Sequence, residues 1–171
     1  AQVEERLAAA RDDRERAFLD SAIVGLMSLS TIADRFSAQA HSMLESEADP
    51  VIRRRLERIA DSASRVPAEP PQTFYEALNT LVFIREILGS VEGVGISTVG
   101  HMDRMLGPYL DADLAAGRLD RAEAKDLLAA FLAFTDVKFE SRRAYHETST
   151  TVFIGGCHED GTPVYNEVTR M

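Results

Sequence analysis

The sequence predicts a mainly α-helical chain with a few β-strands, an α/β class in which the strands come late. Three observations predict it. Apolar residues recur at spacings of three and four through residues 14–45, 49–64 and 121–139, the period of an amphipathic helix. Asp, Thr and Pro start signals stand in front of several of those runs. Only residues 95–99, 150–155 and 163–169 are short and β-branched in the manner of strands.

Residues 2–12 are polar and alanine-rich, helical in type. From 14 to about 45 there is no proline and a single glycine. Phe18, Ala22, Leu26, Leu29, Ala33, Phe36 and Ala40 mark one expected apolar face, on one long helix or on two helices broken near Gly25 or Ser28–Ser30. Asp49-Pro50 is a start signal, because Asp accepts orphan amides and Pro suits the first helical position. Val51, Ile52, Leu56, Ile59 and Ala60 form the expected face of the helix that follows. Arg53, Arg54, Arg55 and Arg58 alternate with Glu57 and Asp61 as a solvated, ion-paired surface. Three prolines between residues 66 and 71 break the chain, giving an N-terminal helical segment 1–66 and a second part 67–171. Thr73 and Glu76 have capping-box spacing, and helix 74–89 is apolar on most sides. A strand is expected at 95–99, and a short helix from Met102 that Pro108 ends or restarts. Asp120 and Glu123 cap a helix running from Arg121 to about Phe139, and residues 140–147 form a polar connection. Strand 150–155, a turn at Glu159-Asp160-Gly161-Thr162 and a returning strand at 163–169 complete the pattern.

At 171 residues the chain has the length of one ordinary domain, and a hydrophobic share of 45% suffices for a core. A net charge of −9 argues against nucleic acid and against an anionic membrane face, both of which demand basic surfaces. No basic, apolar leader and no apolar run of about 18 residues is evident, so no spanning helix is expected. One cysteine cannot form an internal disulfide, which fits a reducing cytoplasm.

A set of ordered motifs carries more. Phe74, Glu76, Ala77 and Leu78 fit F-x-E-A-L; Gly100, Met102 and Asp103 fit G-R-x-D except at His101. Pro108-Tyr109 and Asp113, Gly117 and Leu119 follow in order, then Gly155-Gly156, Asp160-Gly161 and Asn166-Glu167. In order and spacing the chain resembles the glycyl radical enzymes, the pyruvate formate-lyase family, over nearly its whole length. The resemblance implies the N-terminal helical part and first strands of that family's ten-stranded α/β barrel. The family's enzymes are far longer, so a piece of such an enzyme or a stand-alone relative is expected. It further implies anaerobic radical cleavage or formation of a C–C, C–O, C–N or C–S bond. A glycyl radical would be installed by an activating enzyme carrying an iron–sulfur cluster and S-adenosylmethionine. The catalytic cysteine loop and the radical glycine motif have no counterpart in this sequence. No catalytic residue, bound cofactor or metal site is therefore assigned, and this chain alone is expected to be inactive. The expected partners are the remainder of the enzyme or a second subunit, and the activating enzyme; a homo-oligomer stays open. The alternative is a non-catalytic truncated homologue or a helical interaction module docking through residues 67–88.

The resemblance directs attention to residues 95–103. Ser97, Thr98, His101 and Asp103 are the substrate-binding candidates, with Gly95 and Ile96 as wall. A regular strand would turn only one of Ser97 and Thr98 inward. Histidine in place of the family's arginine replaces a fixed, bidentate cation with a titrating group. Asp103 has a plainer alternative as a helix-start carboxylate. Cys157 sits beside His158, Glu159 and Asp160, but it falls in the family's G-G-x-x-x-D-G turn and is read as a turn residue. Neighbouring side chains on a strand point to opposite faces and do not share a metal ion. His41, His101 and His146 have no partner at ligand spacing.

Overall fold

A computed structural model describes residues 2–90, 97–136 and 150–171. The expectations for Gly95, Ile96, the connection 140–147, His146 and the helical tail past 136 lie outside the described residues. Two compact units are present, Ala1–Glu69 and Pro70–Met171.

The first unit holds α1 (Gln2–Ala8), α2 (Asp13–Leu44) and α3 (Pro50–Ala63). Asp12 caps α2 by accepting from the Glu15 amide at 2.8 Å, and Asp49 caps α3 by accepting from the Val51 amide at 2.7 Å. Gly25 and Ser28–Ser30 do not break α2; it is one helix of 32 residues. Its seam is rotated from the expected face. Phe18, Leu26 and Phe36 are 71%, 53% and 56% exposed, while Leu19, Ala33, Ser37 and Ala40 are buried. On α3, Val51 and Ile52 are exposed, and Leu56 and Ala60 are buried. Small residues decide this seam: Ala40 packs with Leu56 and Ala60, and the Ser37 hydroxyl donates to the Ala60 carbonyl at 2.9 Å. That bond requires close backbone approach, which bulky side chains at the interface would prevent. Arg53 donates to the Leu44 and Glu47 carbonyls at 2.8 and 2.9 Å, closing the C-terminus of α2.

α2 also qualifies the expectation of no membrane-length apolar stretch, since an 18-residue window within it reaches a mean hydropathy of 1.3. It is nonetheless not a membrane span: it packs along α3 and carries Asp20, Asp34 and Arg35 within its length.

The second unit comprises α4 (Phe74–Ser90), β1 (Ser97–His101), α5 (Met102–Ala115), α6 (Arg121–Asp136), β2 (Thr150–Phe153) and α7 (Glu167–Arg170). Its core joins Phe74, Ala77 and Leu78 of α4 to Leu106 and Leu110 of α5, Ala124, Leu128 and Phe131 of α6, and Val168 of α7. Asp113 ties the layers. Its buried carboxylate accepts from the Phe74 amide at 2.8 Å, satisfying the start of α4, and is paired with Arg118 at 2.7 Å. Gly117, at φ +64°, turns the chain out of α5 where a Cβ would be strained.

Two expectations change here. Pro108 neither ends nor restarts α5, which runs through it. Glycine at 107 removes the Cβ that would crowd the proline ring, which lowers the cost of an interior proline. Residues 163–169 do not return as a strand: only the Cys157–Pro163 bridge pairs, and the chain then enters α7. Asn166 accounts for this by accepting from the Val168 and Thr169 amides at 3.0 and 3.2 Å, a helix-start geometry that competes with a strand ladder.

Candidate functional site: the β1–β2 face and its anchor

β1 and β2 form a two-stranded parallel sheet, with α5 and α6 between them in sequence. Ser97 pairs with Thr150, Thr98 with Thr151, Gly100 with Val152 and His101 with Phe153. The step from Thr98 to Gly100 skips Val99, so β1 carries one extra residue, a bulge. Gly100 lies at φ +87°, a conformation that glycine adopts without a steric penalty.

The bulge decides which side chains share a face. Val99 and Val152 pack on the helical core. Thr151 and Phe153, alternating with Val152, take the opposite face. The extra residue brings Thr98 and His101 opposite them, rather than Thr98 and Gly100. All four are exposed, and the His101 and Phe153 rings lie 5.5 Å apart with an interplanar angle of 32°. This face offers two hydroxyls, an imidazole and an aromatic wall, without a fixed charge from its own residues.

Asp103 is placed differently. It is wholly buried at the start of α5. Its carboxylate accepts from the Arg104 amide at 2.9 Å, the Gly155 amide at 2.5 Å and the Thr169 hydroxyl at 3.1 Å. Its carbonyl accepts from the Asn166 side-chain amide at 2.7 Å. Burial opposes the charged form, yet the bonds from Gly155, Thr169 and Arg104 together outweigh it and hold the carboxyl below its ordinary value of 3.8. Arg104 reaches across to the Cys157 carbonyl.

Of the sequence candidates, Thr98 and His101 come together on one face, whereas Asp103 anchors the loop behind it. Ser97 is a backbone partner of Thr150 in β1; its side chain lies outside the described residues. Thr151 and Phe153 were missed, although the alternation in Thr150–Phe153 supplies the signal once the register is known. Cys157 is an exposed turn residue, and among the described residues no three His, Cys, Asp or Glu side chains converge on a metal-sized site.

A family profile described as pyruvate formate lyase-like matches residues 1–171. The chain belongs to that family. It is 32% identical over 177 residues to an isethionate sulfite-lyase of Desulfovibrio desulfuricans, covering 95% of this chain and 21% of that enzyme. In structure it is similar to a glycyl radical enzyme from Archaeoglobus fulgidus, with a TM-score of 0.84, 26% identity, and coverage of 99% of this chain and 23% of that one. It is also similar to a protein of 1,2-propanediol dehydration in Roseburia inulinivorans, with a TM-score of 0.87, 26% identity, and coverage of 98% and 21%. The chain thus spans about a fifth of the length of the curated relatives it matches. Its mainly helical architecture with few strands is the one its structural neighbours have in the matching portion.

The group this family implies is a glycyl radical, and the residues present do not fit its motif. Among the described residues the left-handed glycines, Gly100, Gly117, Gly155, Gly156 and Gly161, lie in bulges, helix ends or turns, and none stands in an R-V-x-G-Y/F sequence.

Proposed function

We propose that these residues form an N-terminal portion of a glycyl radical enzyme, and that the Thr98–His101–Thr151–Phe153 face is a segment of the wall around its substrate chamber. The observation that supports this is the β1–β2 pair, which has no further strand beside it among the described residues. Parallel strands ordinarily lie within larger sheets covered on both faces, because each leaves backbone donors and acceptors along its open edge. Here one face packs on helices and the other carries hydroxyls and rings, a division suited to a sheet completed by further strands. On this reading Thr98 and His101 contact substrate, joined by Thr151 and Phe153, and Asp103 serves from behind.

The intact protein performs radical lyase or transferase chemistry under anaerobic conditions in the cytoplasm. An activase using S-adenosylmethionine and an iron–sulfur cluster installs its radical. Residues 1–171 contribute wall and scaffold, and alone they are inactive. Anaerobic activation of the intact protein, followed by electron paramagnetic resonance, is the test. An organic radical lost on substitution of a glycine in the family's radical motif is the expected result. An intact reading frame that encodes neither that glycine nor a catalytic cysteine would sink it. That outcome would support the second reading, a non-catalytic truncated homologue or a helical interaction module docking through residues 67–88; the exposed Phe18, Leu26 and Met27 of α2 suit an incomplete piece as well.

A further inference from the structure

We propose that Asp103 is a positioning residue that clasps both ends of the 155–169 segment and thereby fixes Phe153 against His101. A single carboxylate oxygen, Oδ2, accepts from the Gly155 amide just after β2 and from the Thr169 hydroxyl in α7. The other oxygen is held by the Arg104 amide, and the Asp103 carbonyl is held by Asn166. Asp103 is two residues from His101, and Gly155 is two residues from Phe153. The clasp therefore sets the height of one ring relative to the other.

The intervening loop adds its own closure. His158 donates to the Thr162 carbonyl at 2.8 Å, and Val164 donates to the Gly156 carbonyl at 2.9 Å. Gly155 and Gly156 lie at φ +81° and +87°, and the chain reverses there without side-chain strain. At Gly156 an added Cβ would meet Arg104 and His101 only at 3.6 and 3.8 Å, so backbone conformation rather than space favours glycine. With the loop internally closed and both roots on Asp103, displacement of the carboxylate is transmitted to the end of β2. The significance for substrate rests on the chamber-wall reading above; the clasp itself does not.

The test uses the intact protein with 4-fluorophenylalanine placed at position 153, read by fluorine NMR, and amide exchange of the segment containing Gly155. Thr169→Val keeps the side-chain volume and removes the hydroxyl, which donates to Asp103 and accepts from the Asn166 backbone amide at 3.2 Å. It is expected to broaden or move the fluorine line and to speed Gly155 exchange about tenfold, the size of one lost hydrogen bond to a charged group. Thr169→Ser restores the donor and is expected to return both readouts. Asp103→Asn turns an amide donor toward a backbone donor and is expected to exceed Thr169→Val. A line unchanged in Thr169→Val despite a lowered melting temperature would reduce Asp103 to a purely structural role. Failure of Thr169→Ser to restore the line would also overturn the clasp. Glycerol or 1,2-propanediol added to the unaltered sequence tests the wall separately: no shift of the line sinks the substrate reading and leaves the clasp standing.

Discussion

Replacing Gly107 with alanine sets two effects against each other. In an exposed helix the change stabilises by up to about 1 kcal/mol through backbone entropy. At this site the new Cβ would fall inside contact distance of the Asn166 amide nitrogen and 3.2 Å from its Cγ. Asn166 cannot swing aside freely: its nitrogen donates to the Asp103 carbonyl, and its oxygen accepts from the Val168 and Thr169 amides. Losing these three bonds costs about 1 kcal/mol each, and the Cβ also crowds the ring of Pro108. The net expectation is a loss of about 2 kcal/mol. Amide exchange at Val168 and Thr169 in the intact protein measures it, and about 30-fold faster exchange is predicted. In an Asn166→Ala background the clash with residue 166 is gone, and most of the Gly107→Ala cost should vanish. Unchanged or slower exchange after Gly107→Ala alone would refute the contact.

Asp113→Ala should destabilise the second unit by about 2 kcal/mol, because the buried Phe74 amide loses its acceptor, and urea denaturation of the intact protein reads this. Asp103 has a folded value below its ordinary one, so its stabilisation is complete above the unfolded value of about 3.9 and is lost as pH falls through the folded value. Exchange at Gly155 should therefore accelerate on acidification below about pH 4, beyond the intrinsic trend, and Asp103→Ala should abolish that extra dependence. Asp49→Ala should cost α3 about 1 kcal/mol through its lost cap, seen as faster exchange at Val51. Cys157 is exposed, so it should react readily with a thiol reagent, and Cys157→Ser should leave radical formation in the intact protein unchanged.

Local chemistry made much of this protein legible from its sequence. Asp49, Thr73 and Asp120 announce helix starts because capping needs only a side-chain acceptor and amides within three residues. The order of the motifs from Phe74 to Glu167 identified the family, and Thr98 and His101 were candidates by that route.

Long-range geometry decided the rest. The α2 seam follows Ala33, Ser37 and Ala40 instead of Phe18 and Phe36, because close approach to α3 depends on a partner that helical periodicity does not contain. The bulge at Val99 put His101 on the same face as Thr98, and only pairing with β2, some fifty residues away, defines a bulge. In the sequence Asp103 is open to a site reading or a helix-start reading; the bonds that its Oδ2 accepts from Gly155 and Thr169, 52 and 66 residues downstream, exist only in the folded chain. The sequence by itself determined the family and where most of the helices start, but not α7, whose residues it read as a strand. Tertiary structure alone decided which faces are buried and what each buried carboxylate holds, since those depend on partners distant in the chain.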